Sequence, residues 1–177
     1  AGGGRGTVFS VDLKTGTYVG IDLHYGLMSL AISSDGKYIA TGEANERLRL
    51  WDAATGEELG SRREAHSTTI LDLAISADGK TLISGSKNNT ARLWSLPEIE
   101  FMEPELAGHG GSVGAVAINP TEPRVATGGG DGRLRLWDME SHDLLLNVHM
   151  NGGAILDLDF SPDGKRLVVV TESAGAV

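Results

Sequence analysis

The 177-residue sequence contains no cysteine and only five prolines. Without cysteine, the chain cannot form a disulfide scaffold, a thiolate metal site or a cysteine nucleophile. No apolar run approaches the roughly 18 residues that a membrane-spanning helix needs. The first residues, which are mostly glycine, do not form the apolar segment of a signal peptide. From these absences we expect a cytoplasmic protein that does not bind membranes.

Positive charge is also scarce. The chain has 15 lysine and arginine residues against 24 aspartate and glutamate residues, which gives a net charge of −9. A chain this acidic repels the phosphate backbone of nucleic acids unless it carries a local basic patch, and the sequence shows none. We therefore expect no nucleic-acid partner. Hydrophobic residues make up 40% of the sequence, which is enough for one domain with its own core.

Glycine, in contrast, is abundant: the chain has 25 glycines, about twice the usual share. An internal repeat accounts for them, because Trp51, Trp94 and Trp137 are each 43 residues apart. A turn marker precedes each tryptophan and recurs a fourth time, as in Ser33-Ser34-Asp35-Gly36 and Ser161-Pro162-Asp163-Gly164. Short alternating apolar runs separated by glycine turns predict antiparallel hairpins, and no segment shows a helical period.

A four-stranded unit of about 40–45 residues with Trp-Asp in its third strand resembles the blade of the WD-repeat β-propeller family. The resemblance covers essentially the whole chain. It implies an all-β propeller in which residues 1–177 form one domain of four four-stranded blades. The repeats fall at approximately 23–65, 66–108 and 109–150, and a fourth at 151–177 is completed by residues 1–22.

This assignment places both ends of the sequence inside a blade. Residues 7–13 match a third strand, with Val11 in place of the tryptophan, and residues 166–171 match a second strand. The resemblance implies ring closure by strands from the two termini, which removes open sheet edges. We expect a homodimer in which two half-rings close one eight-bladed ring, with Gly2-Gly3-Gly4 giving the first strand slack. A four-bladed ring closed within one chain and a piece of a longer propeller are the alternatives.

The family resemblance also implies a buried polar network in each blade. Its members are a histidine before the first strand, a hydroxyl in the second, an aspartate in the next turn and the tryptophan. The fourth repeat departs from this pattern, with Asn151 and Val169 in place of the histidine and the hydroxyl. A His–Thr–Asp set resembles a catalytic triad too, but a buried network reaches no pocket, so we expect a structural role. The residues implied are His109, Thr127, Asp131 and Trp137; His66, Ser84, Asn88 and Trp94; and Thr41, Asn45 and Trp51, with His24 one residue out of register.

The function implied by the resemblance is a non-catalytic scaffold that binds a protein or peptide partner on one face of the propeller. The corresponding positions in the first strands are Met28, Leu71 and Leu156, and those before the turn aspartate are Ala44 and Lys87. The third repeat has glycine at both positions. The alternative is that the three large apolar side chains pack between blades, because strand alternation alone does not fix the face.

Two other functions stay open at this point. One is a structural or engineered half-ring whose only activity is to form homo-oligomers. The other is an enzyme that uses the propeller channel, but the inner strands offer only Asp72, Asp157 and Asp159, with no basic partner in register. Asp72 and Asp157 occupy the same repeat position and either bind a cation or cap a neighbouring amide. Because two carboxylates do not fill the shell of a hard cation, we expect no metal, no cofactor and no catalytic residue.

Overall fold

The computed structural model describes residues 6–172, and all regular secondary structure in this range is β-strand. Gly2-Gly3-Gly4 and residues 175–177, where the sequence suggests a slack segment and the start of a third strand, lie outside the described residues. No helix able to cross a membrane occurs within 6–172. The sixteen strands are β1 (Gly6–Val11), β2 (Tyr18–Leu23), β3 (Leu27–Ile32), β4 (Tyr38–Glu43), β5 (Leu48–Asp52), β6 (Glu58–Arg62), β7 (Ile70–Ile75), β8 (Thr81–Ser86), β9 (Ala91–Ser95), β10 (Glu100–Leu106), β11 (Val113–Ile118), β12 (Arg124–Gly129), β13 (Arg133–Asp138), β14 (Leu144–His149), β15 (Ile155–Phe160) and β16 (Leu167–Thr171).

These strands form three complete blades and two half-blades. The first blade is β3–β6, the second is β7–β10 and the third is β11–β14, each an antiparallel sheet of four consecutive strands. The N-terminal half-blade contains β1 and β2, and the C-terminal half-blade contains β15 and β16. The first strands β3, β7, β11 and β15 pack side by side. Because β1 and β16 belong to separate sheets, the described residues do not form a ring closed within one chain.

The turn marker of the repeat builds the connection between the first and second strands. In the first blade, Ser33 Oγ donates a hydrogen bond of 2.7 Å to Asp35 Oδ1 and accepts one of 3.0 Å from the amide of Tyr38. Gly36 has a φ of 72°, a conformation that glycine adopts without steric cost. The same hydrogen bonds recur at Ser76 and Ser161. The marker therefore closes the same tight hairpin in the first blade, the second blade and the C-terminal half-blade.

The hydrophobic core lies between neighbouring sheets. Each tryptophan packs against the preceding sheet: Trp94 joins a buried cluster with Leu48 and Leu50 of the first blade, and Trp137 joins one with Leu93 of the second. Burying one such leucine side chain contributes roughly 1.5–3 kcal/mol. Every junction therefore depends on side chains from two neighbouring sheets.

Glycine in the second strand lets the next blade approach. A Cβ atom on Gly85 would lie 2.8 Å from the carbonyl oxygen of Val113 and 2.9 Å from a methyl group of Val116. A Cβ atom on Gly42 would lie 2.7 Å from Ile70 Cγ2 in the following blade. These distances are shorter than real Cβ contacts. The glycines of the repeat therefore serve blade packing as well as turns.

Replacing Gly85 by alanine tests this packing. We expect the substitution to lower the free energy of unfolding by about 2 kcal/mol, because overpacking against main-chain atoms typically costs 1–3 kcal/mol. Gly114→Ala is the matched control, since its nearest atom, the carbonyl oxygen of Ile155, would lie 3.7 Å from the new Cβ. Urea unfolding of both variants measures the difference, and equal losses of stability would contradict the interpretation.

Candidate partner-binding face and its supporting network

The third blade contains the complete polar network. Trp137 Nε1 donates a hydrogen bond of 2.9 Å to Thr127 Oγ1, and Thr127 Oγ1 lies 2.8 Å from His109 Nε2. His109 Nδ1 lies 2.9 Å from Asp131 Oδ1. Because the tryptophan can only donate, the hydroxyl hydrogen is free to point to Nε2, which leaves Nδ1–H to donate to the carboxylate. The order of the network is therefore Trp, Thr, His, Asp, from the third strand to the turn.

Asp131 has more partners than the sequence pattern implies. Its Oδ2 accepts hydrogen bonds from the amide of Gly110 at 2.9 Å and from Arg135 Nη1 at 3.1 Å. Burial opposes ionisation of Asp131, but these bonds and the one from His109 hold its pKa well below the ordinary value. Burial lowers the pKa of His109, an effect that Asp131 opposes. Arg135 is a member of the network that the sequence analysis did not identify.

The second blade keeps part of the network. Trp94 Nε1 donates to Ser84 Oγ at 2.8 Å, and Ser84 Oγ lies 2.7 Å from His66 Nε2. Asn88 accepts hydrogen bonds from the amide and the hydroxyl of Thr90, and His66 Nδ1 has no hydrogen-bond partner among residues 6–172. Burial lowers the pKa of His66 to about 4. The imidazole is therefore a neutral core side chain at pH 7.

The first blade replaces the histidine and the aspartate with a buried ion pair. Trp51 Nε1 donates to Thr41 Oγ1 at 2.9 Å, but His24 and Asn45 are exposed. Two residues after Thr41 in the same strand, the fully buried carboxylate of Glu43 lies 3.1 Å from Arg49 Nε. Burial raises the pKa of Glu43, and the charge of Arg49 opposes that rise.

The glutamate of the first blade and a glycine of the third blade occupy the same repeat position. Glu43 corresponds to Gly129 of the third blade, where a Cβ atom would collide with His109 and Asp131. Arg49 corresponds to Arg135. Both arginines have a carboxylate partner, but it is Glu43 in the first blade and Asp131 in the third, which are different repeat positions. The repeated arginine is visible in the sequence, two residues before each tryptophan, but its carboxylate partner is not.

The candidate partner-binding positions share one backbone feature. The register of each first strand shifts between its first and third residues, which inserts one unpaired residue as a β-bulge. The inserted residues are Met28, Leu71, Gly114 and Leu156. The side chains of Met28 and Leu156 are 48% and 56% exposed, and Leu71 is half-buried. Packing between blades therefore does not cover Met28 or Leu156.

A second repeated contact brings the turn residues to the same end of the blades. The amide of Ala44 donates to the carbonyl oxygen of Gly26 at 2.9 Å, and that of Lys87 donates to the carbonyl oxygen of Thr69 at 3.1 Å. Each acceptor lies two residues before a bulge residue. Ala44 and Lys87 are exposed. The five candidate residues therefore occupy corresponding positions at one end of neighbouring blades.

Asp72 links three first strands. Its Oδ2 accepts a hydrogen bond of 2.8 Å from the amide of Val116 in the third blade, and its Oδ1 accepts from the amide of Leu73 and from Ser29 Oγ of the first blade. Burial raises the pKa of Asp72, and these hydrogen bonds oppose the rise. This geometry is the amide cap considered as an alternative to a cation site. Within residues 6–172, no three histidine, aspartate or glutamate side chains form a metal-binding group.

The chain matches a protein-family model and solved structures, but no curated protein sequence. The family model "WD domain, G-beta repeat" matches residues 17–52, 57–95 and 102–138. The crystal structure of RRP9 WD40 repeats superposes with a TM-score of 0.74 at 20% sequence identity, over 77% of this chain and 42% of that one. At this identity the likeness shows the fold alone, and the chain spans about two fifths of that structure's length.

The network predicts unequal effects of two substitutions at the same turn position. Asp131→Ala removes the acceptor of His109, Gly110 and Arg135, whereas Asn88→Ala removes only local bonds to Thr90. We expect Asp131→Ala to cost about 2 kcal/mol more in unfolding free energy, because buried donors left without an acceptor cost 1–3 kcal/mol each. Urea midpoints of the two variants measure this difference, and equal shifts would be evidence against it.

Proposed function

The chain belongs to the WD-repeat (WD40) family, and we propose on this basis that it is a non-catalytic scaffold that binds a protein or peptide partner. The observation that carries the proposal is the repeated β-bulge, which exposes Met28 and Leu156 at the same end of the blades as Ala44 and Lys87. Exposed apolar side chains grouped on one surface are typical of an interaction site. Leu71 lies at the corresponding position between them and completes the face.

The chemistry of this face favours an apolar anchor in the partner. Met28, Leu71 and Leu156 offer flexible aliphatic surface, and methionine in particular adapts to different partner shapes. Gly114, at the corresponding position between Leu71 and Leu156, has no side chain, which leaves room for a larger group from the partner. Lys87 adds a positive charge at the rim. We propose a peptide segment with an apolar residue flanked by an acidic one, and no cofactor.

Selection of peptides from a random phage-displayed library tests this function. We expect the selected peptides to bind the Met28→Ser/Leu156→Ser double variant at least about tenfold more weakly, which corresponds to about 1.4 kcal/mol. The Leu59→Ser/Leu145→Ser variant is the matched control, because both leucines are exposed on outer strands. Failure to enrich any peptide, or equal binding to both variants, would contradict the proposed face.

We also propose that two copies of the chain associate and close one eight-bladed ring. Support comes from the two half-blades, since one holds the strands that the other lacks: β1 and β2 correspond to third and fourth strands, and β15 and β16 to first and second strands. Light scattering is expected to give twice the mass of the 18.6 kDa chain. A mass of one chain, with unfolding independent of protein concentration, would refute the dimer.

A further inference from the structure

We propose that a cavity between the second and third blades is a second binding site, which takes one aromatic side chain of a partner peptide with basic residues beside it. The first strand β7 runs from its bulge at Leu71 to the turn marker, and the cavity lies at the marker end. It is therefore at the opposite end of the blades from the candidate partner-binding face and does not depend on that face. Its volume of about 290 Å³ suits a single side chain, because sites for drug-sized ligands have roughly 300–1,000 Å³.

Two complete blades form the walls of this cavity. The second blade contributes its turn marker and Thr81, and the third blade contributes Ile118, Met139 and the turn between β11 and β12. All of the described lining residues lie between Ser76 and Met139. The site is therefore formed by the central part of the chain.

The residue that begins the second strand explains why the cavity is open. At the junction between the first and second blades this residue is Tyr38, which packs against the buried cluster that contains Leu96, as does Ile75. The corresponding residues between the second and third blades are Thr81, Met139 and Ile118. All three line the cavity. Because threonine is much smaller than tyrosine, the space that a phenol ring occupies at the first junction is left open at the second.

The turns beside the cavity lack a hydrogen bond that joins the turns of the first and second blades. Ser34 Oγ of the first blade donates a bond of 2.5 Å to the carbonyl oxygen of Ala77 in the second blade. Ala77 holds the position of Ser34 in the next repeat, and its methyl group cannot donate to the corresponding carbonyl oxygen of Pro120. The mouth of the cavity therefore lies between two turns that this side-chain bond does not hold together.

The apolar part of the lining suits the faces of an aromatic ring. Ile118 and Met139 are half-buried, and both also pack against the buried cluster between the second and third blades. Methionine adapts to irregular shapes, and its sulfur makes favourable contacts with aromatic rings. An aromatic side chain from a partner would therefore contact the same kind of surface that Tyr38 contacts within the chain.

The charge of the lining favours basic residues beside the ring. Of the described residues that line the cavity, the two charged ones are Asp78 and Glu122. Hydrogen bonds from Ser76 and from the amide of Lys80 lower the pKa of Asp78, so this carboxylate is ionised at pH 7. Glu122 forms an exposed ion pair with Arg124, which offsets its charge. Asp78 is therefore the main negative group that a basic residue of the partner would meet, and such complementarity steers binding and selects the partner.

An NMR titration tests the site, because methionine methyl groups report on both ends of the blades. The probe is the tripeptide acetyl-Lys-Tyr-Lys-amide, added to protein labelled with ¹³C at the methionine methyl groups. We expect a saturable shift of the Met139 signal, which a Met139→Leu variant identifies, and no shift of the Met28 signal from the opposite face. The same peptide with alanine in place of tyrosine is expected to bind at least about tenfold more weakly, since the ring supplies most of the buried area. Replacing both lysines of the peptide by glutamate is expected to weaken binding at least about threefold.

A variant that fills the cavity provides the second test. Thr81→Tyr places in the cavity the ring that Tyr38 supplies at the first junction. We expect it to unfold at a urea concentration no lower than the original chain does and to bind the peptide at least about tenfold more weakly. Ser67→Tyr is the matched control, because it adds the same ring to an exposed residue at the other end of the second blade. Asp78→Asn, whose amide oxygen still accepts the bonds of the turn, is expected to weaken binding about threefold and serves if Thr81→Tyr does not fold.

The outcomes separate this site from the candidate partner-binding face. A Met139 signal that does not shift, equal binding of the tyrosine and alanine peptides, or unchanged binding to a folded Thr81→Tyr variant would each overturn the proposal. A shift of the Met28 signal alone would assign the peptide to the opposite face and overturn it as well. None of these results contradicts the proposed face, and loss of binding in the Met28→Ser/Leu156→Ser variant does not bear on the cavity.

Discussion

The buried indole N–H of each tryptophan is the constraint on which the blades depend. An indole can only donate a hydrogen bond, and it loses its water partners when it packs against the preceding sheet. A hydroxyl of the second strand, on Thr41, Ser84 or Thr127, supplies the acceptor in all three complete blades. This bond fixes the register of the second and third strands. The register in turn sets where the turn between these strands lies and which residues reach the candidate partner-binding end.

Beyond this bond, each complete blade pairs an arginine with a carboxylate, and the carboxylate comes from a different repeat position in each blade. An arginine two residues before the tryptophan binds Asp131 in the third blade, Glu105 in the second and Glu43 in the first. The side chains of Arg49 and Arg135 are buried, whereas that of Arg92 is 24% exposed. Loss of the carboxylate would therefore be most destabilising in the first and third blades. In the third blade, Gly129 leaves space for His109 and for Asp131, which binds the arginine. In the first blade, Glu43 at the same repeat position supplies the carboxylate itself.

Much of the architecture could be predicted from the repeat, and much of the site could not. The 43-residue spacing and the turn markers indicate an all-β chain of WD-type blades, which the family match and the sheets confirm. The β-bulge that exposes Met28 is a main-chain irregularity, and a pattern of alternating apolar residues carries no trace of it. Glu43 was missed because glutamate is almost never fully buried unless it is paired, and its pairing with Arg49 depends on strand register.

The candidate partner-binding face and the hydrophobic cores use different parts of a blade. The bulge and the turn contact at each position of the candidate partner-binding face lie within one blade, although the face itself extends over neighbouring blades. The cores lie between sheets, so the stability of each complete blade depends on its neighbours. Leu156 belongs to both systems, because its strand carries the bulge and lies in the C-terminal half-blade. In the proposed ring, the second copy therefore supports the half-blade that carries Leu156 without contributing a residue to the candidate partner-binding face.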